Sequence, residues 1–313
     1  MRAIDAEAHG PRTSSATRAG RETERVRRQR PIRDSSMSRG RANGEPSNDD
    51  FTYRATGAER HRRDHAGAEM TAVFVLHRAD GAANPTVLRK QAFGADDPFA
   101  EHREIAWEGP DAMAAGRIGF VGELDVASYP HIETLVVVSG ELTLETAGAA
   151  PLVLGAGEGA VIGGGTALRA SAAAPVLAMF CAAACAQPTK RGLFRLRADA
   201  DFKPSSTLPA EVLLGPAPQC RSDNVFIDDG AEYCAGAWDS TPYHRIVRPH
   251  RVNEFMFLLA GGVRFAAPDG SVLSLGAGDA LFVPRGASIG WESSERVAKF
   301  YVVQNVQAST ERD

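Results

Sequence analysis

No stretch of this 313-residue chain approaches the roughly 18 uninterrupted apolar residues that cross a bilayer. The richest run, Ala172 to Ala186, is mostly alanine and is broken by Pro175. Cysteine is scarce. Cys181, Cys185, Cys220 and Cys234 have no zinc-site spacing and are too few for a disulfide framework, so they read as small buried thiols in a reducing, cytoplasmic setting. Aromatic residues make up 7% of the chain, and convincing amphipathic helical stretches are few. No Ser-His-Asp order, phosphate-binding loop or dinucleotide fingerprint is visible, which removes support for those chemistries. Lysine is missing from residues 1–69, which carry 15 arginines against 11 acidic residues.

That first segment also lacks any sustained apolar period. It cannot bury enough surface to offset its chain entropy and is expected to be disordered. No apolar stretch follows its first basic residues, as a secretory signal requires, and its acids argue against a mitochondrial presequence. Its arginines allow a nucleic-acid contact, but a solvated arm is the stronger expectation. Met70, which opens the first apolar segment, is a natural alternative start. The remainder holds 20 basic and 28 acidic residues and is long enough for two cores of about 120 residues each.

The chain repeats itself. Val136-Val137-Val138-Ser139-Gly140-Glu141 is echoed by Phe257-Leu258-Leu259-Ala260-Gly261-Gly262, and Leu154-Gly155-Ala156-Gly157 returns as Leu275-Gly276-Ala277-Gly278. Both matches, and the pair Glu133 and Glu254, share an offset of 121 residues. A period this long marks a duplicated domain, since solenoid repeats run about 20–50 residues. Each copy reads as short strands split by Gly or small residues: Thr134–Val138, Glu141–Glu145 and Pro151–Leu154, then Glu254–Leu259, Val263–Ala266 and Ser271–Leu275. Ala267-Pro268-Asp269-Gly270 is a hairpin signal, and Ala280–Val283 stops at Pro284-Arg285-Gly286. Such spacing predicts an antiparallel sandwich or barrel. The expected division is an arm over 1–69, a first domain over 70–187 and a second over 188–308, with a polar linker near Ala186–Gly192.

The second copy resembles a cupin. Arg248-Pro249-His250-Arg251-Val252-Asn253-Glu254, followed by Gly261, has the layout of that family's first motif with one ligand changed. Gly278 and Pro284-Arg285-Gly286 match the second motif. With Trp291-Glu292 and Lys299-Phe300-Tyr301, the run is similar to the small-cupin branch of (S)-ureidoglycine aminohydrolases and ethanolamine-utilisation-type proteins. With the duplication, the resemblance implies an all-β fold. It consists of two tandem double-stranded β-helix (cupin, jelly-roll) barrels, a bicupin, behind a disordered N-terminal arm. The motifs specify fold better than reaction, because one fold hosts many chemistries.

Positions two apart on a strand face the same way, so Arg248, His250, Val252, Glu254, Met256 and Leu258 share one face and Asn253, Phe255, Phe257 and Leu259 the other. Resemblance puts His250 and Glu254 on two metal-ligand positions but leaves a divalent-metal set incomplete. Arg248 stands at a third, and Ser288 to Ile289 near the fourth. The aminohydrolases have Glu and Gln there, so their activity is not carried over. Three readings of the trio stand: an anion-tolerant pocket with Arg248 as clamp, His250 as acid or base and Glu254 as acceptor or base; a structural Arg248–Glu254 pair beside a satisfied His250; and a metal on His250 and Glu254 completed by His244 or water. Trp291 either closes the barrel mouth over a ligand or is core. Glu295 and Lys299 read as a surface or strand-pair contact. The first copy is poorer, with Ala127, Tyr129 and Glu133 at the equivalent positions and His131 able to share Glu133's face, and a scaffold role is expected of it.

The leading function is binding of a small polar, anionic or nitrogen-containing metabolite in the second barrel. Conversion by hydrolysis, deamination or isomerisation, in nitrogen metabolism, would extend it. The alternative is a non-catalytic sensor or accessory protein without metal. No membrane partner is implied, a nucleic-acid partner is the weakest reading, and self-association is open.

Overall fold

The alternating and continuous apolar runs described above all become strands. The computed structural model describes residues 73–109 and 112–305, and its only helical pieces there are two 3-10 turns, Ala100–His102 and Ala210–Val212. The expected disordered arm lies outside the described residues. The alanine-rich run becomes the long strand Leu168–Ala184, because it is walled by neighbours on both sides.

The strands form two jelly-roll barrels. The first is built on a nine-stranded sheet in the order Leu193–Arg195, Gly159–Ile162, His131–Ser139, Leu168–Ala184, Met113–Val126, Arg103–Gly109 and Arg89–Lys90, with the hairpin Leu142–Glu145 and Leu152–Leu154 branching from it. The strand Leu168–Ala184 pairs with His131–Ser139 over its second half and with Leu142–Glu145 near its start, so one strand serves both walls. The second barrel has two sheets. The larger runs Phe74–His77, Ala280–Val283, Asn253–Ala260, Val297–Gln304, Tyr233–Ser240, Cys220–Asp228 and Lys203–Pro204. The smaller runs His244–Pro249, Ser288–Glu292, Gly262–Ala266 and Val272–Gly276.

The 121-residue offset is kept in three dimensions. Glu133 sits opposite Ile162 and Ala182, and Glu254 opposite Val283 and Val303, each pair displaced by 121. The backbone bonds Gly157 N to Val137 O and Gly165 N to Tyr129 O recur as Gly278 N to Leu258 O and Gly286 N to His250 O. Gly140 and Gly261 both hold positive φ, 82° and 73°.

Strand alternation divides the apolar side chains among three cores. Leu135 and Val137 fill the first barrel, and Met256 and Leu258 the second. Ile132 and Val136 meet Phe255 and Phe257 in a third core between the barrels, where Trp107 also stacks on Phe282 at 4.4 Å. Thr134 and Tyr233 share a hydrogen bond of 2.7 Å across it.

The two halves also trade strands. Phe74–His77, which precedes the first barrel, pairs with Ala280–Val283 of the second. Leu193–Arg195, which precedes the rest of the second, pairs with Gly159–Ile162 of the first. Each traded segment is clamped the same way. Arg78 reaches Asp279 and the Ser274 carbonyl, and Arg195 reaches Glu158 and the Val153 carbonyl. The acceptors correspond at the repeat's offset, Glu158 to Asp279 and Val153 to Ser274 each differing by 121, while the two arginines differ by 117. Hydrophobic periodicity shows that a strand exists but not which sheet it joins, so this exchange had no sequence signature.

Gly261 tests the repeat. A Cβ there would lie 2.2 Å from the Arg296 carbonyl oxygen, whereas at Gly270, also at positive φ, it would meet nothing. Gly261→Ala is expected to cost more than about 2 kcal/mol and Gly270→Ala about 1 kcal/mol, measured by urea denaturation. Equal costs would contradict the close approach.

Candidate functional site

The wall of the second barrel carries an ionisable cluster because the strand Asn253–Ala260 alternates across it. Phe255 and Phe257 face the first barrel, and Glu254, Met256 and Leu258 face inward, as their spacing predicts. Glu254 is 8% exposed. Lys299 Nζ, from the neighbouring strand Val297–Gln304, donates to its Oε1 at 2.6 Å, and His250 Nε2 lies 2.9 Å from its Oε2. Burial alone would raise the Glu254 pKa. The Lys299 charge and the His250 hydrogen bond outweigh it and hold the carboxyl down to about 2. The group is therefore ionised and can only accept, so His250 Nε2 is the donor.

His250 is fixed from behind. Its N–H donates to the Ala287 carbonyl and its carbonyl accepts from Gly286 N–H, both at 2.8 Å, and Arg285 N–H donates to Asn253 Oδ1 at 2.9 Å. The Pro284-Arg285-Gly286 turn recognised in the sequence thus sets the imidazole. Lys299 is held under aromatic faces, 4.7 Å from the Trp238 ring centre and 5.4 Å from that of Trp291. Trp291 is stacked with Tyr243 at 5.4 Å and meets Phe265 edge-on at 5.3 Å. It is buried in the barrel core and also borders the cluster.

The strand His244–Pro249 adds two guanidinium groups. Residues directly opposite on an antiparallel pair project to the same side. Arg245 is opposite Trp291, and Arg248 opposite Ile289, both of which are core residues of this barrel. An irregularity between Arg245 and Arg248 lets positions three apart share the inner side. Arg248 is half-buried at the mouth. Burial first, then the nearby Arg251 and Arg245, lowers its pKa, against the pull of Glu211. Burial also lowers that of Arg245, against the pull of Tyr243 and Glu254. Among the described residues no carboxylate pairs with either arginine.

Several expectations are corrected. The Arg248–Glu254 pair does not form, because Lys299 occupies that place. Lys299 is buried and does not contact Glu295 on the surface. His244 is exposed opposite Glu292 and does not join His250. The cluster does not fit a divalent metal. Both Glu254 oxygens hold donors, His250 Nε2 is committed to one of them, and an ammonium at 2.6 Å repels a second cation. Among the described residues no group of three or more His, Cys, Asp or Glu side chains is arranged to hold a metal. Arg245 and Lys299 were missed. Lys299, a lone charge inside the apolar run Val297–Val303, was the available signal.

The first barrel repeats the theme in closed form. Tyr129 and His131 both bond Glu133, the latter at 3.0 Å, so His131 does share its face. Arg103 bonds Glu133 and, through Nε and Nη2, both oxygens of Asp97 at 2.6 and 2.9 Å. Burial raises the Glu133 pKa, but Arg103 and His131 prevail and hold it at about 2. Here the guanidinium comes from the strand Arg103–Gly109, whereas the ammonium on Glu254 comes from Val297–Gln304.

Two tests follow. Glu133 and Glu254 titrate below their ordinary 4.5 in the folded state, so their contribution to stability is complete above about pH 4.5 and is lost as pH falls towards 2. Urea midpoints should drop steeply over that window, and a flat profile would contradict the pairing. Lys299→Met should cost about 3–5 kcal/mol by stranding Glu254, and Lys299→Met with Glu254→Leu should recover most of it.

Comparison with known proteins agrees with this architecture. A family model described as a EutQ-like cupin domain matches residues 229–301. A Pseudomonas syringae pv. tomato protein of unknown function, of the DUF861 family, is 39% identical, with a TM-score of 0.72. The match covers 74% of this chain and 99% of that one. The DUF861 protein Ylba of E. coli is 12% identical over 74% of this chain and 99% of that one, with a TM-score of 0.45. A cupin 2 conserved barrel domain protein from Leptotrichia buccalis is 9% identical over 64% and 86%, also at 0.45. No curated protein matches the chain in sequence.

Proposed function

The chain belongs to the DUF861 family of cupin proteins, and on that footing we propose that its second barrel binds a small anionic metabolite. The observation that carries this reading is a charge imbalance. Lys299 and Arg245 are both buried in the wall and Glu254 is the one buried carboxylate beside them, with Arg248 adding charge at the mouth. A buried cation without a counter-ion is costly, and a ligand carboxylate or similar group relieves that cost through charge-assisted hydrogen bonds. The two halves then act as a bicupin, in which the first barrel and the shared core hold the second in shape.

The same geometry favours binding without turnover. A carboxylate held at about 2 and already accepting two donors is a weak base at neutral pH. His250 is the group at this site with proton-transfer capacity, and hydrolysis, deamination or isomerisation of a nitrogen-containing ligand would have to run through it. A sensor or accessory role needs none of this. All four cysteines are free thiols, which supports a reducing, cytoplasmic setting.

Thermal shift of the full chain with acetate, lactate, benzoate, oxalate and inorganic phosphate tests the reading, with and without EDTA. At least one anion should raise Tm, EDTA should leave that rise unchanged, and Arg248→Ala should weaken binding by less than about five-fold, since its charge is partly solvated. Absence of any anion effect, or its loss in EDTA, would overturn the reading.

A further inference from the structure

Arg245 is 9% exposed and sits on the inner side of the smaller sheet, opposite Trp291. Its Nη2 donates to the Ile289 carbonyl at 3.2 Å, but its Nε is buried with no acceptor in reach. A guanidinium N–H that has lost water and gained no partner is an unusual thing to keep in a barrel wall. Electrostatically it faces Tyr243 and Glu254, the latter already engaged by Lys299 and His250.

The first barrel shows how this chain satisfies such a group. There the Nε and Nη2 of buried Arg103 meet the two oxygens of Asp97 as a fork. Among the described residues nothing supplies Arg245 with a corresponding carboxylate. We propose, building on the anion-binding reading above, that Arg245 is the ligand-recognition residue. The group it takes is the carboxylate of a small acid bearing no ammonium group.

Three features select that class. A planar carboxylate matches the edge that Asp97 occupies on Arg103, which a spherical anion does not. Two buried cations against one carboxylate leave one positive charge, which a monoanion neutralises and a zwitterion does not. An ammonium on the ligand would lie among Lys299, Arg248 and Arg251, with both Glu254 oxygens already holding donors. Arg245 lies opposite Trp291, which is stacked with Tyr243, so the surface adjoining its guanidinium is aromatic.

The test uses three molecules of one skeleton on the full chain: lactate, alanine and lactamide. Lactate should raise Tm of the natural protein, while alanine and lactamide should not. Arg245→Met should raise the ligand-free Tm by a few degrees, because it removes an unpaired buried charge, and should abolish the lactate shift. A purely structural arginine would instead lower Tm on replacement. Arg245→Lys, which keeps the charge and loses the fork, should weaken lactate about ten-fold and covers the case in which the methionine variant does not fold. A lactate shift that survives in Arg245→Met, or alanine acting as strongly as lactate, overturns this inference while the anion pocket stands. If no carboxylate shifts the natural protein, both fall.

Discussion

A carboxylate that points into a closed β-barrel has lost its water and must be given donors by the surrounding wall. Glu133 and Glu254 occupy the same place in the two halves, and the rest of each interior is arranged around them. Each receives one cation and at least one ring-borne donor: Arg103, Tyr129 and His131 for Glu133, and Lys299 and His250 for Glu254. The cation arrives from a different strand in each half, so the electrostatic requirement was kept while its solution was not. This also explains why a divalent metal has no place at Glu254. A protein cation already fills the role a metal would have.

The halves differ in what balances the charge. In the first, Asp97 and Glu133 share the one guanidinium of Arg103, the cluster is sealed, and each Arg103 nitrogen has an acceptor. In the second, Arg245 has no such neighbour and Arg248 adds charge at the mouth. One duplication thus produced a barrel whose buried guanidinium is fully bonded and one whose buried guanidinium is not. A shared core backs both: Phe255 and Phe257 on one side and Ile132 and Val136 on the other are the outward faces of the strands whose inward faces carry Glu254 and Glu133. Shifting either strand by one residue would expose the core and bury the wrong charges together, so packing between the barrels enforces the register of both clusters. The traded strands Phe74–His77 and Leu193–Arg195 bind each half to the other's sheet, which couples their stabilities.

By itself the sequence determined the duplication, the all-β class and the inward face of Glu254, Met256 and Leu258. These are local properties: a repeat at fixed offset, strands marked by Gly and Pro turns, and a period of two. It also placed His250 beside Glu254, because a recognised motif fixes their relation. Tertiary structure alone decided the rest. Lys299 reaches Glu254 across a strand pair 45 positions away in the chain, and no periodicity encodes which residue answers a buried charge. Arg245 turns inward because the strand slips between Arg245 and Arg248, and counting by twos back from Glu254 places it on the wrong face. The strand exchange is invisible for the same reason. A sequence shows what each segment can bury, and only the assembled sheets show against which partner it does so.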